Sequence, residues 1–297
     1  MTGATGYTGK YITKHLLALG RKVKTLTGHP HRVSPFGDEV QAVPFNFDHP
    51  EELTESLRGV ATLYNTYWVR FSYQKVTFDL AVENTKILLK AAKQAGVKKF
   101  VHISVTNPDK ALPLPYYRGK ALLEQVVSQS GLPYAVIRPT LIFGPEDILI
   151  NNIAWCLRKF PFFAVPGAGD YRIQPIFCED VAEIAVAAAH RDRNEVLDAA
   201  ASEVFTFDKL VHQIAEKIGS KSKVIHLPPQ VALSLSSLVG RIVRDVILTP
   251  EELKGLMSNL LVSAEPPKGK VRLSDWLEKN AATVGAHYAS ELDRHFR

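Results

Sequence analysis

Cysteine is scarce in this chain: Cys156 and Cys178 are the only two in 297 residues. They have no metal-ligand spacing, fit a reducing compartment, and read as small buried apolar residues. The ten histidines form no pair at ligand spacing with carboxylates, so no metal is expected. No apolar run reaches the roughly 18 residues of a membrane span. The most apolar window, QVALSLSSLVGRIV, is short, carries Arg241 near its end with Arg244 just after it, and reads as a packed helix rather than an anchor. A signal peptide pattern is missing too, and the location expected from these features is cytoplasmic. Net charge is a modest +6, with Lys and Arg scattered as in KAAKQAGVKK and AEKIGSKSK. Without a basic stripe interleaved with aromatics, no nucleic-acid partner is expected. Internal repeats and low-complexity linkers are absent as well. The apolar fraction of 46% and charged fraction of 22% are those of an ordinary globular protein.

What is present begins at the first residues, MTGATGYTGKYI. Gly3, Gly6 and Gly9 recur every third position and lead into a helical pattern of Ile12, His15, Leu16 and Leu19. Glycine lets the backbone take positive φ and approach a ligand closely. A helix that starts there aims its free N–H groups and positive dipole end at the loop, which suits a pyrophosphate. The strand-like RKVKTLTG that follows completes a βαβ unit. A tight strand-to-helix turn with no ligand is the alternative. Only Met1 and Thr2 precede Gly3, where a buried strand of about five residues normally stands. The expectation is that the first strand begins upstream of the sequence given, and that an upstream extension is markedly more stable.

Strands alternate with helices down to about residue 145: VKTLTG, VQAVPFNF, ATLYNTY, KKFVHIS and the strand within VVSQSGLPYAVIRPTLIFGP. Between them run DHPEELTESLRG, with Asp48 near its N-cap, and VTFDLAVENTKILLKAAKQAGV, ended by Gly96. This alternation predicts a parallel sheet wound on both faces. From residue 146 on, aromatic, Pro and Gly residues crowd FPFFAVPGAGDYRIQP. Helical segments follow: CEDVAEIAVAAAH, TFDKLVHQIAEKIG, TPEELKGLMSNLL with Thr249 as N-cap, and a terminal region carrying Trp276, Tyr288 and Phe296. The fold class expected is α/β, a doubly wound parallel sheet of the Rossmann type with a smaller C-terminal α+β lobe. Residues 1–145 form the dinucleotide domain. Residues 146–297 form a mainly helical substrate or lid lobe interleaved with it.

Two further features bear on chemistry. After the first glycine-following strand no acid occurs before Asp38, while Thr27, His29, His31 and Arg32 do. An acid there binds the ribose hydroxyls of NAD, and a base accommodates the 2′-phosphate of NADP, so NADP is preferred over NAD. Arg32 as a solvated loop charge is the alternative. Tyr116 and Lys120 stand four apart at the start of a helix, on one face. An adjacent ammonium favours the phenolate and suits Tyr116 to general acid–base work. In the second lobe, Tyr171, Arg172 and Gln174 are the pocket candidates, Arg172 being suited to an anionic substrate such as a diphosphate.

With TGATGYTG, ISVTN (103–107), YYRGKALLE (116–124), RPTLIFGP (138–145) and IQPIFCEDVA (173–182), the chain resembles the short-chain dehydrogenase/reductase superfamily in its extended or atypical branch. It is similar to nucleoside-diphosphate-sugar epimerase-like and NmrA-like proteins, and to the NAD(P)H-binding accessory subunit of respiratory complex I. The resemblance implies that Gly3, Thr5, Gly6, Tyr7, Thr8 and Gly9 wrap the pyrophosphate. It places Asn46 and Phe47 near adenine, Thr66 and Tyr67 beside the cofactor, and Pro139 to Ile142 along the nicotinamide. Tyr116 is then the acid/base and Lys120 its partner, also bonding the nicotinamide ribose. Many sugar-modifying relatives carry a Ser or Thr where this chain has Val105, and Ser104 or Thr106 is the neighbouring hydroxyl for a substrate oxygen. Two readings follow: an NAD(P)-dependent oxidoreductase or epimerase moving hydride while Tyr116 moves the proton, or an NADP(H)-binding sensor or assembly factor without turnover. Partners expected are a small-molecule substrate, such as a nucleotide sugar, with an oligomer left open.

Overall fold

A computed structural model describes residues 1–111 and 113–295; Phe296 lies outside them. The chain divides into two units. The first holds Met1–Pro139 and Cys178–Ala199, the second Thr140–Phe177 and the described residues from Ala200 on. The sequence-based boundary at 145/146 differs in two ways. The change comes at Thr140, and the helix CEDVAEIAVAAAH returns to the first unit.

In the first unit, the opening loop runs into α1 (Tyr7–Ala18), then β1 (Val23–Thr27), β2 (Val40–Pro44), α2 (Pro50–Ser56) and β3 (Thr62–Asn65). α3 (Phe78–Gln94), β4 (Lys99–Ile103), α4 (Pro115–Gln129) and β5 (Tyr134–Pro139) follow. β1 and β2 pair in parallel, and β3, β4 and β5 pair in parallel in that order. The opening residues join the two sets. The Leu26 amide donates to Met1 O at 2.8 Å and the Gly3 amide to Leu26 O at 3.0 Å. On the other side, the Thr2 amide donates to Tyr64 O at 2.9 Å. Three residues thus do the pairing work of a central strand.

All five residues of β4, KFVHI, are buried, as a strand covered on both faces must be. Leu53 of α2, Leu88 and Leu89 of α3, and Val127 of α4 pack with Phe100 and Val136 into one core. α3 begins at Thr77, whose side chain accepts from the Leu80 amide, and stops before Gly96 at φ 78°. The α2 cap is His49 with Pro50 at the first helical position, not Asp48.

The chain then leaves for the second unit through β6 (Leu141–Phe143), α5 (Leu149–Lys159), β7 (Phe162–Pro166), β8 (Arg172–Ile173) and β9 (Pro175–Phe177). It comes back as α6 (Cys178–Ala189), which packs on α1, β4 and β5, and β10 (Glu195–Ala199), parallel to β5. RPTLIFGP is therefore two strands: β5 ends at Pro139, and β6 pairs with β9 instead. The remainder is β11 (Phe205–Thr206), α7 (Phe207–Lys217), β12 (Lys223–Leu227), α8 (Pro229–Val243), α9 (Pro250–Met257), α10 (Leu273–Asn280) and α11 (Glu291–His295). Phe143, Ile150, Leu157, Leu210, Trp276 and Leu277 anchor a core within the second unit. QVALSLSSLVGRIV is helical as expected, but it is not a packed helix: only Ala232 and Gly240 of α8 are buried.

Candidate functional site

The glycine loop is built by backbone crowding. Gly3 has φ 60°, and a Cβ there would stand 3.3 Å from Thr66 Oγ1. A Cβ on Gly9 would lie 2.0 Å from Gly3 O, so the first turn of α1 presses directly on the loop. The Gly6 amide donates to Gly3 O at 3.0 Å, closing the turn. Gly6 caps α1 without a side-chain hydrogen bond, and no acid stands in the first turn. The positive end of the helix dipole thus meets a side-chain-free cradle, a donor set that fits a pyrophosphate. Thr5 is exposed, and Tyr7 and Thr8 are half-buried on the first turn.

Around the loop, the strand ends supply the other expected residues. The Thr66 amide donates to Thr2 Oγ1 at 2.8 Å, and Thr66 Oγ1 to Thr2 O at 2.8 Å. Phe47 stacks on Phe45 at 4.9 Å between centroids, and both contact Tyr67, at 5.3 and 5.1 Å. Tyr67 is fixed in turn by Asn84, which donates to its hydroxyl at 2.8 Å. Asn46 takes φ 48° and donates to Glu52 at 2.9 Å. After β1, Arg32 is exposed, and its amide donates to His29 O. Pro139 O receives the Thr106 amide at 3.0 Å.

The α4 residues are arranged around a tryptophan that the sequence reading passed over. Trp68 lies edge-on to Tyr116 at 5.8 Å and stacks on Phe78 at 5.6 Å. The Lys120 ammonium sits 4.7 Å from the centre of the same indole. Gly119 makes this possible, since a Cβ there would stand 2.5 Å from the Trp68 ring. Lys120 is buried and donates to Ile103 O at 2.8 Å. Burial lowers its pKa to about 7, with Glu124 opposing the shift. Behind it, His102 is fully buried in β4 and shares a 3.1 Å contact with the Asn65 amide. Burial, and then the Lys120 charge, keeps that imidazole neutral well below its ordinary range.

Ser104 and Thr106 are both engaged within the first unit. The Ser104 hydroxyl bonds to Glu124, which also holds Arg138 through Nη2 and, at 2.9 Å, through Nε. Thr106 Oγ1 donates to Arg138 O at 2.9 Å. Glu124 escaped sequence reading, although its place four residues after Lys120 in YYRGKALLE is a usable signal.

In the second unit, Tyr171 is 3% exposed and stacks on Phe207 at 5.2 Å. Gln174 donates to Ala201 O at 2.6 Å and accepts from the Ser263 amide at 2.9 Å. Both expected pocket residues are buried within that unit. Arg172 alone of the three has an exposed side chain.

Residues 3–147 match the model of the NAD(P)H-binding family. The parallel sheet and glycine loop agree with that match, being those of a Rossmann-type fold. Among curated proteins, the chain is similar to NADH dehydrogenase [ubiquinone] 1 alpha subcomplex subunit 9, mitochondrial, of Arabidopsis thaliana. Identity is 25% over 285 residues, covering 88% of this chain and 70% of that protein. It is also similar to the photosystem II assembly factor Ycf39 of Cyanophora paradoxa, 26% identical over 46% of this chain and 43% of that one. Among solved structures, the NADPH-dependent quinone oxidoreductase QOR2 of Escherichia coli, complexed with NADPH, aligns with TM-score 0.74 at 19% identity. That alignment covers 94% of this chain and 97% of the other. No described helix is long and apolar enough to cross a membrane.

Proposed function

We propose that this chain holds NADP(H) at the loop of residues 3–9 as a binding and assembly module, without turning it over. One observation carries the reading: Trp68 covers Lys120, whose ammonium is directed to Ile103 O. A catalytic pair needs that ammonium as a full charge beside the phenol of Tyr116. Here the indole contacts both groups, and burial leaves Lys120 half-neutral near pH 7. Ser104, the substrate-facing hydroxyl of the enzyme reading, is bonded to Glu124. The names of the relatives, a respiratory-chain subunit and an assembly factor, agree with a structural role.

The bound nicotinamide would supply hydride chemistry if a substrate reached it. The residues of this chain that would hold the cofactor as a whole are the loop glycines, Thr66 and the Phe45, Phe47 and Tyr67 cluster. The run of residues after β1 without an acid, with Arg32 exposed in it, supports NADP over NAD. Two unpaired cysteines support a reducing compartment such as the cytoplasm.

The oxidoreductase or epimerase reading keeps one supporting feature, Tyr116 and Lys120 one turn apart on α4. The two readings separate in a turnover assay with NADPH against a panel of carbonyls, quinones and nucleotide sugars. The binding module gives cofactor oxidation at the protein-free rate for every compound. Turnover that disappears in Tyr116→Phe while NADPH affinity is kept overturns it.

A further inference from the structure

We propose that the outward face of α8 docks in the plane of an anionic membrane surface. Val231, Leu235, Leu238 and Ile242 recur at spacings of four, three and four, which puts them in one row along the helix. Val231, Leu238 and Ile242 are 45%, 55% and 70% exposed. The opposite side fastens the helix. Ala232 and Gly240 are buried there, and a Cβ on Gly240 would stand 2.7 Å from Asp245 O. α8 therefore turns Ala232 and Gly240 inward, keeps Leu233, Val239 and Val243 half-buried, and leaves Val231, Leu238 and Ile242 outermost. A row of large apolar side chains left in this way marks an interaction surface.

Charge selects the occupant. From residue 218 to residue 244 the chain carries Lys221, Lys223, Arg241 and Arg244 and no acid. Lys221, Lys223, Arg241 and Arg244 are exposed. The acids that follow are mostly turned inward. Asp245 is buried, accepting from the Tyr288 hydroxyl and from the amides of Val246, Glu291 and Leu292. Glu252 closes a capping box with Thr249, leaving Glu251 exposed on the first turn of α9. Apolar side chains beside cations match an interface of acyl chains beneath anionic headgroups. A second copy would bring like charges together instead. A helix of 15 residues, about 22 Å long, lies along such a surface and does not span it.

Flotation of the full chain with phosphatidylcholine vesicles, with and without phosphatidylglycerol, tests this. The chain is expected to float with the anionic vesicles only, and less as salt is raised. The pair Leu238→Ser with Ile242→Ser should abolish flotation. The pair Arg241→Gln with Arg244→Gln should weaken it roughly tenfold or more. Unchanged circular dichroism melting shows that both variants fold. Three results overturn the proposal: no flotation with anionic vesicles, flotation that neither pair alters, or a dimer by light scattering that the serine pair dissociates.

Discussion

Gly9 has the least room for a side chain of the described glycines. Its missing Cβ is what lets α1 close on the loop, because the atom in the way is the carbonyl of Gly3. Gly9→Ala should cost about 1–3 kcal/mol, read by denaturant unfolding, and should remove NAD(P)H binding. Gly28→Ala is the control. It meets nothing within 4 Å and should stay within about 0.5 kcal/mol of the parent. Lys120 gives a pH signature. Its folded pKa is near 7 and its ordinary value 10.5. Between these the unfolded chain binds the extra proton, so stability rises with pH across that window. Below pH 7 the full cost of burying the ammonium is present. The stability of Lys120→Met relative to the parent should therefore be greatest at or below pH 7 and decline toward pH 10. A difference independent of pH contradicts a buried, perturbed Lys120.

The glycine spacing was legible at this scale because backbone clashes depend on local sequence alone. Trp68 was not. It stands just after β3 in a loop, and only the fold brings it onto Gly119 and Lys120 of α4.

At the scale of elements, caps are the most local devices. Thr249 accepts from the Glu252 amide, and Glu252 returns the bond to the Thr249 amide. Thr249→Ala should cost about 1 kcal/mol, a fall of roughly 2–4 °C in melting temperature for a chain of this size. Thr249→Ser should restore most of it. This cap was readable from Thr-Pro-Glu-Glu. Most strands and long helices were readable too, from alternating apolar runs and terminal glycines. The failures share a cause. RPTLIFGP reads as one strand, yet it breaks at Thr140 because its halves join different sheets. α6 has an ordinary helical pattern, and nothing local says that it packs on α1. EVLDA becomes β10 only because β5 offers an edge. α8 looked like interior helix because hydropathy does not report which neighbours arrive.

For the whole molecule, the order of the sheet explains why the first residues matter. Among the described residues, β2 and β1 join β3, β4, β5 and β10 through residues 1–3, so the glycine loop springs from the seam of the sheet. Fold class was legible because strand and helix alternation is a global pattern. The glycine loop that opens α1 was legible with it. The state of the Tyr116 and Lys120 pair was not, since it depends on a third residue distant in sequence. The proposed preference for NADP is tested at Arg32, which is exposed after β1. Arg32→Glu should weaken NADPH about tenfold or more by calorimetry and leave NADH within a factor of about two.

The most direct measurement is the redox state of the cofactor that stays with the protein. The chain is mixed with NADPH, incubated with the carbonyl, quinone and nucleotide-sugar panel, and passed through a desalting column. The protein fraction should carry NADPH with its 340 nm absorbance intact, whichever compound was added. A fraction carrying NADP+ after one of them, or carrying no cofactor at all, contradicts a module that holds NADP(H) without turnover.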